Sequence, residues 1–222
     1  MIYELFYPLK YHYPWLSWLN VLRYIPFRTI MATITAMLLS FVLAPWFIRE
    51  LRRKQIGQVV RSDGPATHAV KAGTPTMGGA LILLSLLLPT ALWADLRNPF
   101  VLATTAVTVG YGVIGYLDDY LKIKRKSTGG LAGRYKLIGQ TLIASAAISY
   151  TFISPQGMPS DWVQIRTRLA IPFVAFSKFS PDLPLWFYVP FAVFVVVATS
   201  NAVNLTDGLD GLAIGPVMIN AG

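Results

Sequence analysis

The residues of this chain with the clearest chemical potential are four aspartates that stand in two small groups. Asp118 and Asp119 are adjacent, and Asp207 and Asp210 lie in the segment Asn201-Ala-Val-Asn-Leu-Thr-Asp-Gly-Leu-Asp-Gly. The chain has only ten acidic residues, and each group comes at the end of a long uncharged apolar run. Carboxylates at the edge of a hydrocarbon layer are costly unless a cation, a proton transfer or a substrate uses them. The pattern therefore predicts a metal-dependent enzyme that works at a membrane surface.

The adjacent aspartates Asp118 and Asp119 are predicted to have different chemical roles. Neighbouring residues on a helix point about 100° apart, so Asp118 and Asp119 cannot both be ideal ligands on one face. One of them could bind a metal ion or a metal-bound phosphate while the other accepts a proton. Lys122 and Lys126 follow Asp118 at helical spacing, and this positive stripe suits a diphosphate. The alternative is an ordinary helix end with solvated charges.

The second group has a regular spacing, because Asn201, Asn204, Asp207 and Asp210 recur every three residues. A glycine follows each aspartate and disfavours a continuous helix, so we expect a helix that ends at Asn204 and then turns. Carboxylate and amide oxygens are hard ligands suited to Mg²⁺, and amides can also hydrogen-bond a nucleobase. The alternative is a capped turn between two membrane helices.

A loop rich in Gly, Pro and Thr, residues 63–79, precedes the second apolar block. Its backbone N–H groups and hydroxyls, with Lys71 beside them, could hold phosphate oxygens at a helix start. The alternative is a rigid entry turn, and we expect His68 to be structural.

The elements that must position these residues are five uncharged apolar blocks. Each supplies about 17–25 residues, the length that crosses ~30 Å of hydrocarbon as a helix. The chain is 55% hydrophobic and 13% charged. We therefore predict an all-α, polytopic integral membrane protein, with a single transmembrane domain over residues 1–222 and five transmembrane helices plus the start of a sixth. The blocks are residues 29–48, 74–94, 98–117, 137–160 and 183–206, and the sixth starts at Leu212. Because the sixth is cut off at Gly222, we expect the chain to be the N-terminal part of a longer protein.

Most of the 19 basic residues lie in two loops, and this asymmetry predicts the orientation. Positive residues stay cytoplasmic, so we expect residues 49–76 and 118–136 in the cytosol and the N-terminus outside. Helix counting then puts residues 203–211 in the cytosol as well. The proline-rich loop 155–184 falls in the periplasm. Its polarity alternates somewhat, as in residues 165–176, and it could hold a short hairpin. The net charge of +9 thus reflects topology, and we expect no nucleic-acid partner.

Two further features limit the possible chemistry and the position of the N-terminus. The chain has no cysteine, which excludes disulfides, thiolate catalysis and cysteine-ligated zinc within these residues. The aromatic, proline-broken residues 1–28 are expected to lie in the membrane interface, where amphipathic rings are favoured.

Three of these segments resemble the bacterial phospho-N-acetylmuramoyl-pentapeptide-transferase (MraY) family of the polyprenyl-phosphate N-acetylhexosamine-1-phosphate transferase superfamily. The segments are residues 63–79, 118–122 and 201–213. The resemblance covers most of the chain, from about Phe27 to the end. The third segment is long and highly specific. The first separates this family from relatives that share the aspartate pair but have a different loop.

The resemblance implies a Mg²⁺-dependent transfer of phospho-MurNAc-pentapeptide from UDP-MurNAc-pentapeptide to undecaprenyl phosphate, giving lipid I and UMP. This is the first membrane step of peptidoglycan synthesis, at the cytosolic face of the bacterial inner membrane, and the family implies a homodimer in the lipid bilayer. The nearest alternative is the sister enzyme that transfers N-acetylglucosamine-1-phosphate to the same lipid. Alternatives from other classes are an ion-coupled membrane transporter and a non-catalytic scaffold.

The resemblance also implies a role for each candidate residue. Asp118 would be the base that deprotonates the lipid phosphate or, alternatively, a covalent nucleophile, and Asp119 would assist at the metal and the diphosphate. Metal ligands would be Asp118, Asp119 and Asp207, with a further ligand beyond residue 222. Family members carry that further aspartate and a histidine-rich cytosolic loop, which these 222 residues lack, so we do not expect this stretch to be active alone. The substrate-binding residues would be Lys71, Thr76, Lys122, Lys126, Asn201, Asn204, Asp207 and Asp210.

Overall fold

The computed structural model describes residues 2–53, 78–125, 129–153, 160–207 and 212–221. The described regular structure is helical, which confirms the all-α class. Two compact units, Met1–Lys136 and Leu137–Gly222, divide the chain. The elements are α1 Ile2–Phe6, α2 Leu9–His12, a 3-10 helix Pro14–Arg23, α3 Ile25–Arg53, α4 Gly78–Trp93, α5 Pro99–Arg125, α6 Gly133–Ile153, α7 Ser160–Ile165, α8 Leu185–Thr206 and α9 Ile214–Ala221.

Four of the described helices, α3, α5, α6 and α8, are long and apolar enough to cross a membrane. They correspond to four of the five predicted spans. The described helix in the remaining block, α4, is apolar but has 16 residues. Large apolar side chains are exposed on these helices, including Phe41, Val42, Leu142 and Phe194 at 65–71%. Apolar surface on this scale is stable against hydrocarbon rather than water, and the chain is a multi-pass membrane protein.

In the first unit, α4 packs against both α3 and α5. The Trp93 indole N–H donates to Thr35 Oγ1 over 3.1 Å, and the Phe27 ring meets the Trp93 ring edge-on. The contact between α4 and α5 is close at Gly112, where an added Cβ would lie 2.5 Å from Leu83 Cδ1. Small residues of this kind let membrane helices approach each other.

The N-terminal segment packs onto the helices of the same unit. Helix α1 contacts α4, and the 3-10 helix contacts α3 with Leu19 buried. Glu4 Oε1 pairs with Arg97 Nε at 2.7 Å, which joins the segment to the turn before α5. Trp15 and Trp18 remain exposed, as an interfacial segment requires, and the interfacial location itself stays a prediction.

The second unit contains α6, α7 and α8, joined by aromatic contacts around Phe152. Its ring lies 5.9 Å from the Trp162 ring of α7 and 5.7 Å from the Tyr188 ring of α8. In the loop before α8 an antiparallel bridge joins Arg168 to Asp182. This antiparallel pairing lies within the loop 155–184, where a short hairpin was expected, although Asp182 falls beyond the alternating stretch 165–176.

Two helix ends differ from the sequence-based boundaries. Helix α5 continues to Arg125, so Asp118 and Asp119 lie within its last turns rather than at the start of a loop 118–136. The run after the aspartates consists mostly of strong helix formers, and a pair at four-residue spacing, Asp118–Lys122, supports the extra turns. Helix α8 ends at Thr206 rather than Asn204, and the Asp207 N–H still donates to a helical carbonyl.

Candidate active site

The candidate site centres on Asp118, whose two carboxylate oxygens have different partners. Oδ2 lies 2.5 Å from Lys122 Nζ, one helical turn further along α5. Oδ1 accepts the backbone N–H of Leu131 over 2.7 Å. The Asp118 side chain is 19% exposed. This carboxylate is therefore held by contacts on both oxygens while part of it still faces the outside of the protein.

Asp119 faces the same ammonium from further away. Its Oδ1 lies 3.5 Å from Lys122 Nζ, and its side chain is 39% exposed. Helix geometry separates adjacent residues by about 100°, yet the two carboxylates converge on one cation because the long lysine side chain lies between them. The ammonium lies closer to Asp118, at 2.5 Å, than to Asp119, at 3.5 Å, and the separate roles of the two carboxylates stay a prediction.

The donor set of the pair suits a magnesium ion. Across the described ranges no group of three or more His, Cys, Asp or Glu side chains could hold a metal. Mg²⁺ does not require such a group, because it is often bound by one or two carboxylates and keeps waters or substrate phosphates as its other ligands. Asp118 and Asp119 both approach one positive group, the Lys122 ammonium. The two carboxylates therefore fit this mode of magnesium binding.

The position of the pair along α5 corresponds to the edge of a bilayer. From Phe100 to Asp119 the helix rises by about 28 Å at 1.5 Å per residue, close to the ~30 Å of the hydrocarbon layer. Tyr116 and Tyr120, which flank the pair, stack with their rings 6.3 Å apart and are exposed. Such residues are enriched at membrane interfaces, where the headgroup of a lipid phosphate also lies.

Gly130 lies next to the site and was not among the residues predicted from the sequence. An added Cβ at Gly130 would collide with Asp118 Oδ1 and would lie 2.8 Å from Lys122 Cε. Gly130 and Leu131 therefore lie directly against the aspartate and its lysine. The adjacent glycines Gly129 and Gly130, placed soon after the basic end of α5, were the available signal for a close backbone approach.

In the second unit, Asn201 of α8 is engaged with α6. Its Nδ2 donates to Gln140 Oε1 and to the Val197 carbonyl, both over 2.8 Å. Gln140 is only 3% exposed. Side-chain amides that pair across membrane helices stabilise their association, so Asn201 holds α8 against α6, and its substrate-binding role stays a prediction. An amide inside an apolar block was the sequence signal for Gln140.

The remaining described candidates lie at the end of α8. Asn204 is exposed in its last turn, and Asp207 is the exposed residue that follows the helix, with its N–H donating to the Val203 carbonyl over 3.1 Å. The structure thus groups Asp118, Asp119 and Lys122 in one unit and Asn201, Asn204 and Asp207 in the other. Four predicted residues lie outside the described ranges: Lys71, Thr76, Lys126 and Asp210.

Two family models match the chain. The model of glycosyl transferase family 4 matches residues 101–222, which include both the aspartate pair and α8. Signature 1 of phospho-N-acetylmuramoyl-pentapeptide-transferase matches residues 71–83, which contain Lys71 and Thr76. The matched segments therefore include two of the three that the sequence singled out, and the end of the first.

Curated proteins named phospho-N-acetylmuramoyl-pentapeptide-transferase are similar over the whole chain. The protein from Sorangium cellulosum is 83% identical over 222 residues, which are 100% of this chain and 59% of that protein. The protein from Anaeromyxobacter sp. strain K is 50% identical over 231 residues, with 100% of this chain and 59% of that protein covered. The protein from Pelobacter propionicus is 48% identical over 221 residues, with 100% and 58% covered. The chain thus spans less than two thirds of the length of these relatives.

Proposed function

Because the chain belongs to glycosyl transferase family 4, within its phospho-N-acetylmuramoyl-pentapeptide-transferase group, we propose that the full-length protein makes lipid I. It would transfer phospho-MurNAc-pentapeptide from UDP-MurNAc-pentapeptide to undecaprenyl phosphate and release UMP. The observation that carries the proposal is the cluster of Asp118, Asp119 and Lys122 at the end of a membrane-spanning helix. A site at that level can meet a lipid phosphate and a water-soluble nucleotide together.

The proposed reaction forms one phosphorus–oxygen bond and breaks another. An oxygen of the lipid phosphate attacks the phosphorus that carries the sugar, and the bond from that phosphorus to the oxygen bridging it to UMP breaks. UMP leaves with the electron pair of that bond. Asp118 accepts the proton of the lipid phosphate, for which its partly exposed carboxylate is suitably placed. Phosphoryl transfer depends chiefly on positioning and charge neutralisation.

The charges of Asp118, Asp119 and Lys122 suit the neutralisation of charge that phosphoryl transfer requires. Lys122 lies beside both carboxylates and can turn its ammonium towards a diphosphate oxygen when substrate binds, since its side chain is 39% exposed. Asp118 and Asp119 would hold Mg²⁺, which, when bound, neutralises charge on the diphosphate. Asp119, whose side chain is the more exposed of the two, would be the second protein ligand of the pair. Asp207 as a further ligand stays a prediction from the sequence.

We extend the proposal to the cellular setting of the enzyme. The multi-pass membrane character follows from the apolar helices. The bacterial inner membrane, a catalytic site on the cytosolic face and a homodimer follow from the family resemblance. The cytosolic face also agrees with the basic residues within 49–76 and 118–136.

The choice of nucleotide substrate tests this function against its nearest rival. The full-length protein, purified in detergent, would receive undecaprenyl phosphate, Mg²⁺ and either UDP-MurNAc-pentapeptide or UDP-N-acetylglucosamine. We expect a lipid-linked product from the muramoyl nucleotide alone. A product from UDP-N-acetylglucosamine alone would instead identify the sister transferase. Turnover of neither nucleotide by folded protein would count against a transferase.

A further inference from the structure

The residues that follow α5 fold back onto its end and touch the aspartate pair. The Leu131 N–H donates to Asp118 Oδ1 over 2.7 Å, across 13 residues of sequence. Lys122 Nζ approaches the other oxygen at 2.5 Å. A carboxylate fixed through both oxygens, by a backbone group on one side and an ammonium on the other, has little freedom to rotate.

Gly130 makes this approach possible because it lacks a side chain. A Cβ there would collide with Asp118 Oδ1 and would lie 2.8 Å from both Asp118 Cγ and Lys122 Cε. The φ angle of Gly130 lies outside the left-handed region, so the backbone conformation does not itself require glycine. The requirement at this position is space for the carboxylate and the lysine stem.

We infer that Gly130 and Leu131 form a clamp that positions the Asp118 carboxylate for catalysis, with Gly130 as the residue whose small size permits the Leu131 N–H to reach it. This inference rests on the proposed function, in which Asp118 acts on the lipid phosphate. Gly130 and Leu131 are positioning residues, since they act through Asp118. Hydrogen bonds to a charged group are stronger than those between neutral groups, which suits the N–H to this task.

The clamp leaves Oδ2 as the working oxygen of Asp118. The Leu131 N–H occupies Oδ1, whereas the partner of Oδ2 is the ammonium of Lys122, whose side chain is 39% exposed. When that ammonium turns towards a substrate phosphate, Oδ2 becomes available while the Leu131 N–H still holds Oδ1. A preorganised group of this kind avoids reorganisation during the reaction.

Amide hydrogen exchange tests the clamp without any substrate. In the full-length protein the Leu131 amide is expected to exchange slowly, and Asp118→Ala should accelerate its exchange by about tenfold or more, the scale of a lost hydrogen bond to a charged group. Asp119→Ala is the matched control, because the contact of Leu131 is with Asp118, and should leave that rate unchanged. Equal rates in wild type and Asp118→Ala would overturn the inference.

Turnover kinetics test whether the clamp matters for catalysis. Gly130→Ala is expected to lower kcat by about tenfold to a hundredfold, since small displacements of a catalytic group have effects on this scale, while KM for the nucleotide stays within about twofold. Gly133→Ala, where an added Cβ meets nothing within 4 Å, should keep the wild-type kcat. A Gly130→Ala enzyme that is folded and as fast as Gly133→Ala would contradict the proposal.

The two experiments separate failure of the clamp from failure of the proposed function. If the wild-type protein does not turn over UDP-MurNAc-pentapeptide, the function is wrong, whereas the exchange experiment still decides whether Asp118 holds the Leu131 amide. If Gly130→Ala does not fold, the comparison of Asp118→Ala with Asp119→Ala decides alone.

Discussion

The two oxygens of Asp118 show how a residue at the membrane edge can be both fixed and usable. One oxygen accepts a backbone N–H and the other faces an ammonium, so the charge is satisfied within the protein. Carboxylates at such a boundary are costly when unpaired. The pairing with Lys122 offsets that cost in the absence of substrate and presents a positive charge where a diphosphate would bind.

Substitution of Lys122 tests this reading of the cluster. Lys122→Gln should lower kcat/KM by about a hundredfold or more, the effect of removing a donor to charge that develops in a transition state. Lys124→Gln, an exposed basic residue two positions further along α5, is the matched control and should change the value by less than about threefold. Steady-state kinetics of both variants of the full-length enzyme would measure the difference. Equal effects would show that only general positive charge matters.

Among the helices, α8 is held against α6 by a hydrogen bond between two side-chain amides, and one of the two, Asn201, is a predicted site residue. Asn201 binds Gln140 of α6 three residues before Asn204 and six before Asp207. The side-chain hydrogen bond across the helices thus restrains the end of α8 on which those two residues lie. A polar contact between membrane helices is specific in direction, whereas the surrounding apolar contacts are not.

A double-mutant cycle measures this contact. Gln140→Leu and Asn201→Leu should each destabilise the full-length protein, and their combined effect should fall short of the sum by about 0.5–2 kcal/mol, the range of hydrogen bonds between membrane helices. Unfolding in mixed detergent micelles gives the free energies. Strict additivity of the two changes would show that the pair contributes no coupling.

The contact between α4 and α5 allows a comparison of two glycines on one helix. Gly112→Ala places a Cβ 2.5 Å from Leu83 Cδ1, whereas Gly115→Ala meets nothing within 4 Å. Both changes improve helix propensity equally, so the difference in unfolding free energy isolates the crowding. We expect Gly112→Ala to be the less stable variant by about 1–2 kcal/mol, at the low end for overpacking because the tip of a leucine can shift. Equal stabilities would show that α4 and α5 are further apart than described.

At the level of the whole molecule, the sequence predicts the membrane spans well and the contacts of the site poorly. Blocks such as 98–117 and 183–206 are recognisable because length and apolarity alone decide whether a helix can cross a bilayer. The end of α5 was harder to predict from the sequence, since helix propensity extends the helix beyond the hydrocarbon edge to Arg125. The Leu131–Asp118 and Gln140–Asn201 contacts span 13 and 61 residues. One uses a backbone donor that every non-proline residue has, so no side-chain pattern could reveal it.

The orientation in the membrane can be tested with introduced cysteines, because these residues contain none. In full-length protein cleared of any other cysteine, Arg97→Cys and Lys124→Cys would each be exposed to a membrane-impermeant maleimide in intact cells. We expect labelling of Arg97→Cys from the periplasm, and labelling of Lys124→Cys only after the inner membrane is opened, because the basic residues beside Lys124 favour the cytosol. Labelling in the reverse order would invert the topology.

The most direct test of the whole account is the formation of lipid-linked product by full-length wild-type protein and its Asp118→Asn variant. Both would receive undecaprenyl phosphate, UDP-MurNAc-pentapeptide and Mg²⁺, and a parallel reaction would contain EDTA. Amide hydrogen exchange or size-exclusion chromatography would check that each protein is folded. For the wild type we predict one UMP released for each lipid-linked sugar made, and no product with EDTA. In Asp118→Asn we predict that the rate of product formation falls by about 10²- to 10⁴-fold, the typical contribution of a positioned base. A folded Asp118→Asn protein that forms product at the wild-type rate would contradict the role assigned to the aspartate pair.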